Sequence, residues 1–276
     1  MAGEPDLATL TFTDPEIQEC PYPAYELLRR ERPAFFDAKA GFWVISRYDD
    51  VRSVLTDPRR FSSAATIELL RDTVDPARAE TAREIYEAEG WLPTPTLSLM
   101  EEPRHKEVRA IFQHALRAGK IKALDPYIEG IANELVDGFI ADGACDVVRQ
   151  FAVPLPLMAI CSQVGVEIDD IWTIKRWTDA WIRRFSLMQS PEEEAACVRE
   201  EVAFQRHFVD IVARLRDAPN DSMLSNLATM RLSDGSRLSY PEIASHLLSD
   251  IFVGGSETAT NAIGEGVLML CENPDQ

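Results

Sequence analysis

Basic residues, long apolar runs and paired metal-binding residues are what this sequence lacks. Its 276 residues carry 28 Lys plus Arg against 46 Asp plus Glu, a formal charge of −18. No block of basic side chains is long enough to follow a phosphate backbone. That balance excludes nucleic acid and an anionic lipid surface as main partners. The longest apolar run, Phe151 to Cys161, is interrupted by prolines and falls far short of the roughly 20 residues of a spanning helix, so no membrane partner is expected. The amino terminus has neither the basic nor the apolar region of a secretory signal, which points to the cytoplasm. Cysteines are few, odd in number and widely spaced (Cys20, Cys145, Cys161, Cys197, Cys271), with no C-x-x-C, and read as reduced thiols. No two histidines stand at metal-ligand spacing, so no zinc or non-haem iron site is expected within the chain. A nucleophile elbow, a P-loop and a dinucleotide fingerprint are absent too.

What is present is a 46% hydrophobic content, enough for a sizeable core and against disorder. Apolar residues recur at three- and four-residue spacing, which predicts helices from about Tyr25, from Asp49 to Leu55, and over about 103–118, 124–141, 155–164, 168–187, 191–216 and 221–230. One small β region is expected, with strands at 34–37 and 42–46 around a turn at 38–41. No repeat or low-complexity linker divides the chain, so residues 1–276 read as one mainly α domain. It opens with a flexible segment at 1–20 and carries an irregular, partly helical stretch at 62–100. Ser239-Tyr240-Pro241-Glu242 is a capping box with proline in the first turn, which predicts a long last helix over 239–272.

Two segments could carry chemistry. In Gly254-Gly255-Ser256-Glu257-Thr258, adjacent glycines sit inside the last helix, where each costs about 1 kcal/mol relative to alanine. The hydroxyl of Thr258 can reach the carbonyl of Gly254 and loosen the helix ladder there. The segment reads either as a groove lined by a hydroxyl and the Glu257 carboxyl, suited to proton delivery, or as a close helix–helix contact. In Glu102-Pro103-Arg104-His105-Lys106-Glu107-Val108-Arg109, helical spacing puts His105 and Arg109 on one face. They read either as a clamp for two carboxylates or as a solvated charged face.

In this order the segments resemble the amino-terminal two-thirds of a bacterial cytochrome P450, a haem-thiolate monooxygenase. The resemblance covers about 20–276. It runs through Cys20-Pro21-Tyr22-Pro23-Ala24-Tyr25, Trp43-Val44-Ile45-Ser46-Arg47-Tyr48-Asp49, Asp57-Pro58-Arg59-Arg60-Phe61-Ser62, the E-P-x-H-x-x-x-R stretch at 102–109, Asp221-Ser222-Met223-Leu224, G-G-x-E-T at 254–258 and Asn273-Pro274-Asp275. It implies a mainly α, triangular helical fold with a small β region, here truncated after the long central helix. By the same resemblance the cofactor is haem b and O2 is co-substrate. His105 and Arg109 would bind the haem carboxylates, and Gly254 and Gly255 would form the oxygen groove. Thr258 and Glu257 would be the catalytic proton-delivery pair, and Ile251 and Val253 would lie beside a small apolar substrate, near the 62–100 stretch. The expected partners are a ferredoxin and its reductase. No cysteine follows the family's F-x-x-G-x-x-x-C ligand pattern; Cys271, for example, has Val267 at the glycine position. The thiolate is therefore expected in a missing carboxy-terminal part, and the chain alone is expected to be inactive. A non-catalytic, small-molecule-binding module of the same fold is the alternative.

Overall fold

The computed structural model describes residues 5–64, 76–167, 170–185 and 189–276. They pack as two compact units, Met1–Thr73 and Val74–Gln276.

In the first unit, α1 (Pro15–Glu19) starts at Asp14, whose carboxylate accepts the amide of Glu16, and α2 (Tyr22–Glu31) follows. Strands β1 (Ala34–Asp37) and β2 (Phe42–Ile45) pair antiparallel, with Phe35 opposite Val44 and Asp37 opposite Phe42. Gly41 makes the turn at φ 76°, a left-handed conformation that suits a residue without Cβ. Helix α3 (Tyr48–Leu55) closes the unit. Its small core is Leu10, Ala24, Leu28 and Phe35. Asp37 is fully buried and accepts four hydrogen bonds, from the Thr11 hydroxyl and from the amides of Phe12, Lys39 and Ala40. Burial works to raise this carboxyl, but those four donors outweigh it and hold it below the usual carboxylate range. Of the segment expected at 1–20, the described part has a tertiary anchor that local composition does not reveal: Leu10 enters the core, and Thr11 and Phe12 bind Asp37.

The second unit is helical. It contains α4 (Pro76–Glu89), a 3-10 turn at Leu97–Leu99, α5 (Arg104–Ala115), α6 (Ala118–Lys122) and α7 (Asp125–Ile140). A π-helical turn, Val148–Ala152, leads into α8 (Pro154–Val164), which stops at Gly165. Then come α9 (Ile171–Arg183), α10 (Pro191–Asp217) and α11 (Met223–Thr229). The ends of the helix expected over 168–187 fall partly outside the described residues, as does part of the 62–100 stretch. The helix expected over 103–118 ends at Ala115, and α6 begins three residues on.

The central helix forms as expected from its capping box. Ser239 accepts the amide of Glu242, and the Glu242 carboxylate accepts the amide of Ser239. Its body is not uniform: α12 (Tyr240–His246) passes into a π-helical stretch, Leu247–Val253, and then into α13 (Gly254–Glu272). The main core gathers around its first half. Ile243, Leu247, Ile251 and Phe252 pack with Val108 and Phe112 of α5, Leu157 of α8, Phe204 and Phe208 of α10, and Leu224 and Leu227 of α11.

Candidate functional site

The site is built at the junction between the π-helical stretch and α13. A widened turn breaks the regular i to i−4 ladder, and such insertions tend to mark functional positions in helices. The two glycines that follow do different work. A Cβ on Gly255 would lie 2.9 Å from Cδ1 of Ile160, so Gly255 serves a close approach of α8. A Cβ on Gly254 would meet nothing nearer than the Ser249 carbonyl at 3.5 Å, and Gly254 is exposed. The hydroxyl of Thr258 donates to the Gly254 carbonyl at 3.0 Å. Close packing is thus present at Gly255, while at Gly254 the helix surface is exposed.

Glu257 points elsewhere. Its carboxylate accepts from Nζ of Lys175 at 3.0 Å and from the hydroxyl of Thr178 at 3.4 Å, both on α9. Adjacent residues on a helix diverge by about 100°, so Glu257 does not back the Thr258 hydroxyl directly. Lys175 also donates to Asp179. Burial works against its ammonium, but the two carboxylates outweigh burial and hold its pKa above the ordinary value. Two further hydroxyls stabilise the helix: Ser256 donates to the Phe252 carbonyl, and Thr260 donates to the Ala152 carbonyl at 3.0 Å.

The other expected site residues are scattered. Ile251 is buried in the main core, and Val253 is partly buried against it. His105 and Arg109 share α5; Nδ1 of His105 lies 3.3 Å from the Glu102 carboxylate, while Arg109 is exposed and has no ion pair among the described residues. Their neighbour Arg104 ties α5 to the central helix through Glu242. Burial works to raise the Glu242 carboxyl, but hydrogen bonds from Ser239 and Arg104 keep it below its usual range.

A cavity of about 120 Å³ lies against the first half of the central helix, lined by Thr94, Trp181, Glu201, Phe204, Ser245 and Leu248 among others. The segment before the 3-10 turn is strapped along it. The amide of Thr94 donates to Ser245 and that of Leu97 to Asp250, whose carboxylate also lies 2.7 Å from Nδ1 of the buried His246. A wider groove of about 650 Å³ is lined by Arg149, Trp172, Lys175, Asp179, Arg183 and Glu200 among others, so Lys175 faces both that groove and Glu257. Sequence reasoning missed Lys175 and Thr178. The i, i+4 pair Lys175 and Asp179 was visible, but not the distant helix it serves.

Solved structures share this fold. Cytochrome P450 CREJ in complex with (4-ethylphenyl) dihydrogen phosphate matches with TM-score 0.78 at 28% identity, over 93% of this chain and 62% of that one. CalO2 matches with TM-score 0.79 at 28% identity, over 97% and 64%. Among curated proteins, a vitamin D(3) 25-hydroxylase of Pseudonocardia autotrophica is 30% identical over 259 residues, 93% of this chain and 59% of its own length. The chain belongs to the cytochrome P450 superfamily. Cytochrome P450 107B1 of Saccharopolyspora erythraea is also 30% identical, over 236 residues that make up 85% of this chain and 54% of that protein. No protein-family model matches. The chain therefore spans less than two thirds of the length of the P450s it resembles.

The haem of cytochromes P450 asks for two donors to its carboxylates and for a thiolate. His105 and Arg109 fit the first requirement by residue type and by their shared helix. Among the cysteines, the thiol of Cys161 is buried in the core and burial pushes it up to about 11, which disfavours a thiolate. Cys20, Cys145 and Cys271 are exposed, and none follows the ligand pattern.

Proposed function

We propose that this chain provides the oxygen-groove side of a haem-dependent monooxygenase that inserts one atom of O2 into a small, mostly apolar substrate. The observation that carries the reading is the Thr258 hydroxyl on the Gly254 carbonyl, one residue from a Glu257 that is ion-paired to a second helix. When bound, the haem supplies activation of O2. His105 and Arg109 orient it by charge-assisted bonds to its carboxylates. Thr258 holds a proton donor at Oγ1, and its bond to the Gly254 carbonyl fixes where that donor points. Glu257 can exchange its Lys175 partner for water and return, which would link the groove on α9 to the central helix by proton transfer at its carboxylate. Trp181, Phe204 and Leu248 give the cavity an apolar side for the substrate, beside the polar groups of Thr94, Glu201 and Ser245.

The vitamin D(3) 25-hydroxylase among the relatives supports an apolar substrate class. A ferredoxin with its reductase is the proposed electron source. From 104 to 122 the sequence carries the cations Arg104, Lys106, Arg109, Arg117, Lys120 and Lys122 and one acid, Glu107; Arg104 is paired to Glu242 and Lys120 to Asp221, and the excess of positive charge over this stretch suits an acidic protein partner. The proposed setting is the cytoplasm, where unpaired cysteines are usual. Among the described residues no helix is long and apolar enough to cross a membrane.

A second reading starts from the cavity against the central helix. It is a helical module that binds a small molecule without catalysis. Reconstitution of the 276-residue chain with haem and carbon monoxide tests both. The expected spectrum is that of histidine-ligated or free haem, and a thiolate-type band would show that one of the five cysteines reaches the iron. Losing both His105 and Arg109 to alanine should weaken haem retention by a few powers of ten, since charge-assisted bonds contribute about 1.5–3 kcal/mol each. Unchanged retention on dialysis would return both residues to a solvated face.

A further inference from the structure

The wider groove shares no lining residue with the 120 Å³ cavity, and only its Lys175 takes part in the function proposed above. It follows α9. That helix and α10 run side by side in opposite directions, as Arg176 meets Glu200 and Arg184 meets Glu194, and the turn that leads into α8 forms the third side. At about 650 Å³ the groove falls within the roughly 300–1,000 Å³ of small-molecule sites. Every acid lining it among the described residues is already engaged. Asp146 accepts the amide of Arg149 at 3.0 Å, Asp179 accepts from Lys175, and Glu200 accepts from Nε of Arg176 at 3.0 and 3.1 Å. Two guanidiniums are left over, one at each end. That of Arg149 sits over the Trp172 ring, 5.3 Å from its centre, and Arg183 ends the same helix, about 16 Å from Trp172 at a rise of roughly 1.5 Å per residue. Both arginines are exposed, and neither has an ion pair among the described residues.

One unpaired surface arginine is ordinary, because water solvates it well. Two that close the ends of one groove, in a chain with 46 acids against 28 cations, mark a place that attracts negative charge. Each end offers a single planar fork, which fits one carboxylate through paired bonds. The middle has a different character. There Val153, Ala180 and Cys197 line the groove and are themselves buried, while Lys175 and Arg176 are answered by Asp179 and Glu200. A polyanion such as a nucleotide would set its further charges against those two acids. A single anion would use one end only. An apolar chain with a carboxylate at both ends satisfies both guanidiniums and covers the buried residues between them.

We infer that the groove along α9 is a binding site for an elongated apolar dicarboxylate, held at its ends by Arg149 and Arg183. The site stands on the groove alone, so its test needs neither haem nor turnover. Calorimetric titration of the 276-residue chain with dodecanedioate, whose extended chain is long enough to reach from one arginine to the other, should show one site per chain. The monomethyl ester of the same diacid, equal in length with one charge removed, and adipate, too short to reach both ends, should each bind about tenfold more weakly. Arg149→Gln and Arg183→Gln, both at exposed positions, should each weaken dodecanedioate about tenfold and bring it level with the ester. Arg237→Gln, which removes an exposed positive charge outside the groove, should leave the affinity unchanged. Absence of binding at millimolar dodecanedioate, an ester that binds as tightly as the diacid, an affinity untouched by either groove substitution, or an equal loss in Arg237→Gln would overturn the site.

Discussion

From Tyr240 to Val253 the central helix is gripped by its neighbours at almost every turn, whereas beyond Gly254 it is held at a few polar points and turns much of its surface outward. In the first stretch Ile243, Leu247 and Phe252 are fully buried, Glu242 is paired to Arg104, Ser245 takes the amide of Thr94, and Asp250 takes that of Leu97. In the second only Ser256 and Thr260 are buried, and Leu268, Met269 and Leu270 are more than half exposed. The contrast teaches where position ends and chemistry begins. Packing fixes the axis and rotation of the helix as far as the π-helical stretch, so Thr258 emerges at a defined place while keeping room around it.

The sharpest way to break that contrast is to remove the grip. Phe252→Ala, which empties a fully buried aromatic site between Phe204 and Phe208, should cost about 3–5 kcal/mol in denaturant unfolding, while Met269→Ser should stay within about 0.5 kcal/mol. Equal losses at the two positions would erase the distinction between the halves.

A smaller effect is expected at the ion pair that anchors the second half. Lys175→Gln should lose about 1 kcal/mol at neutral pH, a value limited by the solvent that still reaches this partly buried pair. The sign with pH follows from its raised pKa: the contribution is whole below the ordinary lysine value of 10.5 and fades as pH rises through the raised one. Wild type and variant should therefore converge in strongly alkaline unfolding experiments, and a gap that persisted would place the stabilisation outside the Lys175 charge.

Smallest in stability, and largest in chemistry, is Thr258→Ala. Its hydroxyl is exposed and its one recorded bond is to its own helix, so unfolding should shift by less than about 0.5 kcal/mol. In a haem-loaded, catalytically competent enzyme the same change should lower product formed per reduced nicotinamide consumed. Unchanged coupling would leave Thr258 as a helix-loosening residue and nothing more.

Much of this was legible from local rules. The Ser239–Glu242 capping box, the β1–β2 hairpin and the Thr258 bond to Gly254 each depend on residues no more than a few positions apart in the helix or across a short turn. What stayed hidden depends on residues far apart. Glu257 takes its partner from a helix 82 positions away in sequence, Asp37 gathers Thr11 from 26 positions away, and Arg78 meets Glu194 across 116. The π-helical stretch was hidden for another reason: Leu247-Leu248-Ser249-Asp250-Ile251-Phe252-Val253 has no glycine or proline to announce a widened turn, which appears once neighbouring elements fix both ends.

The contact between Gly255 and Ile160 makes two distant positions a single decision about volume. With only 2.9 Å between the Ile160 side chain and the place a Cβ would occupy, α8 and α13 are spaced by a missing methyl group. Bulk added at residue 255 has to be absorbed at residue 160, by a shift of the end of the Ile160 side chain or by a smaller residue there. A smaller side chain at 160, as in Ile160→Val, should relieve what Gly255→Ala alone disturbs, so tolerance at either position can be judged only when the other is known.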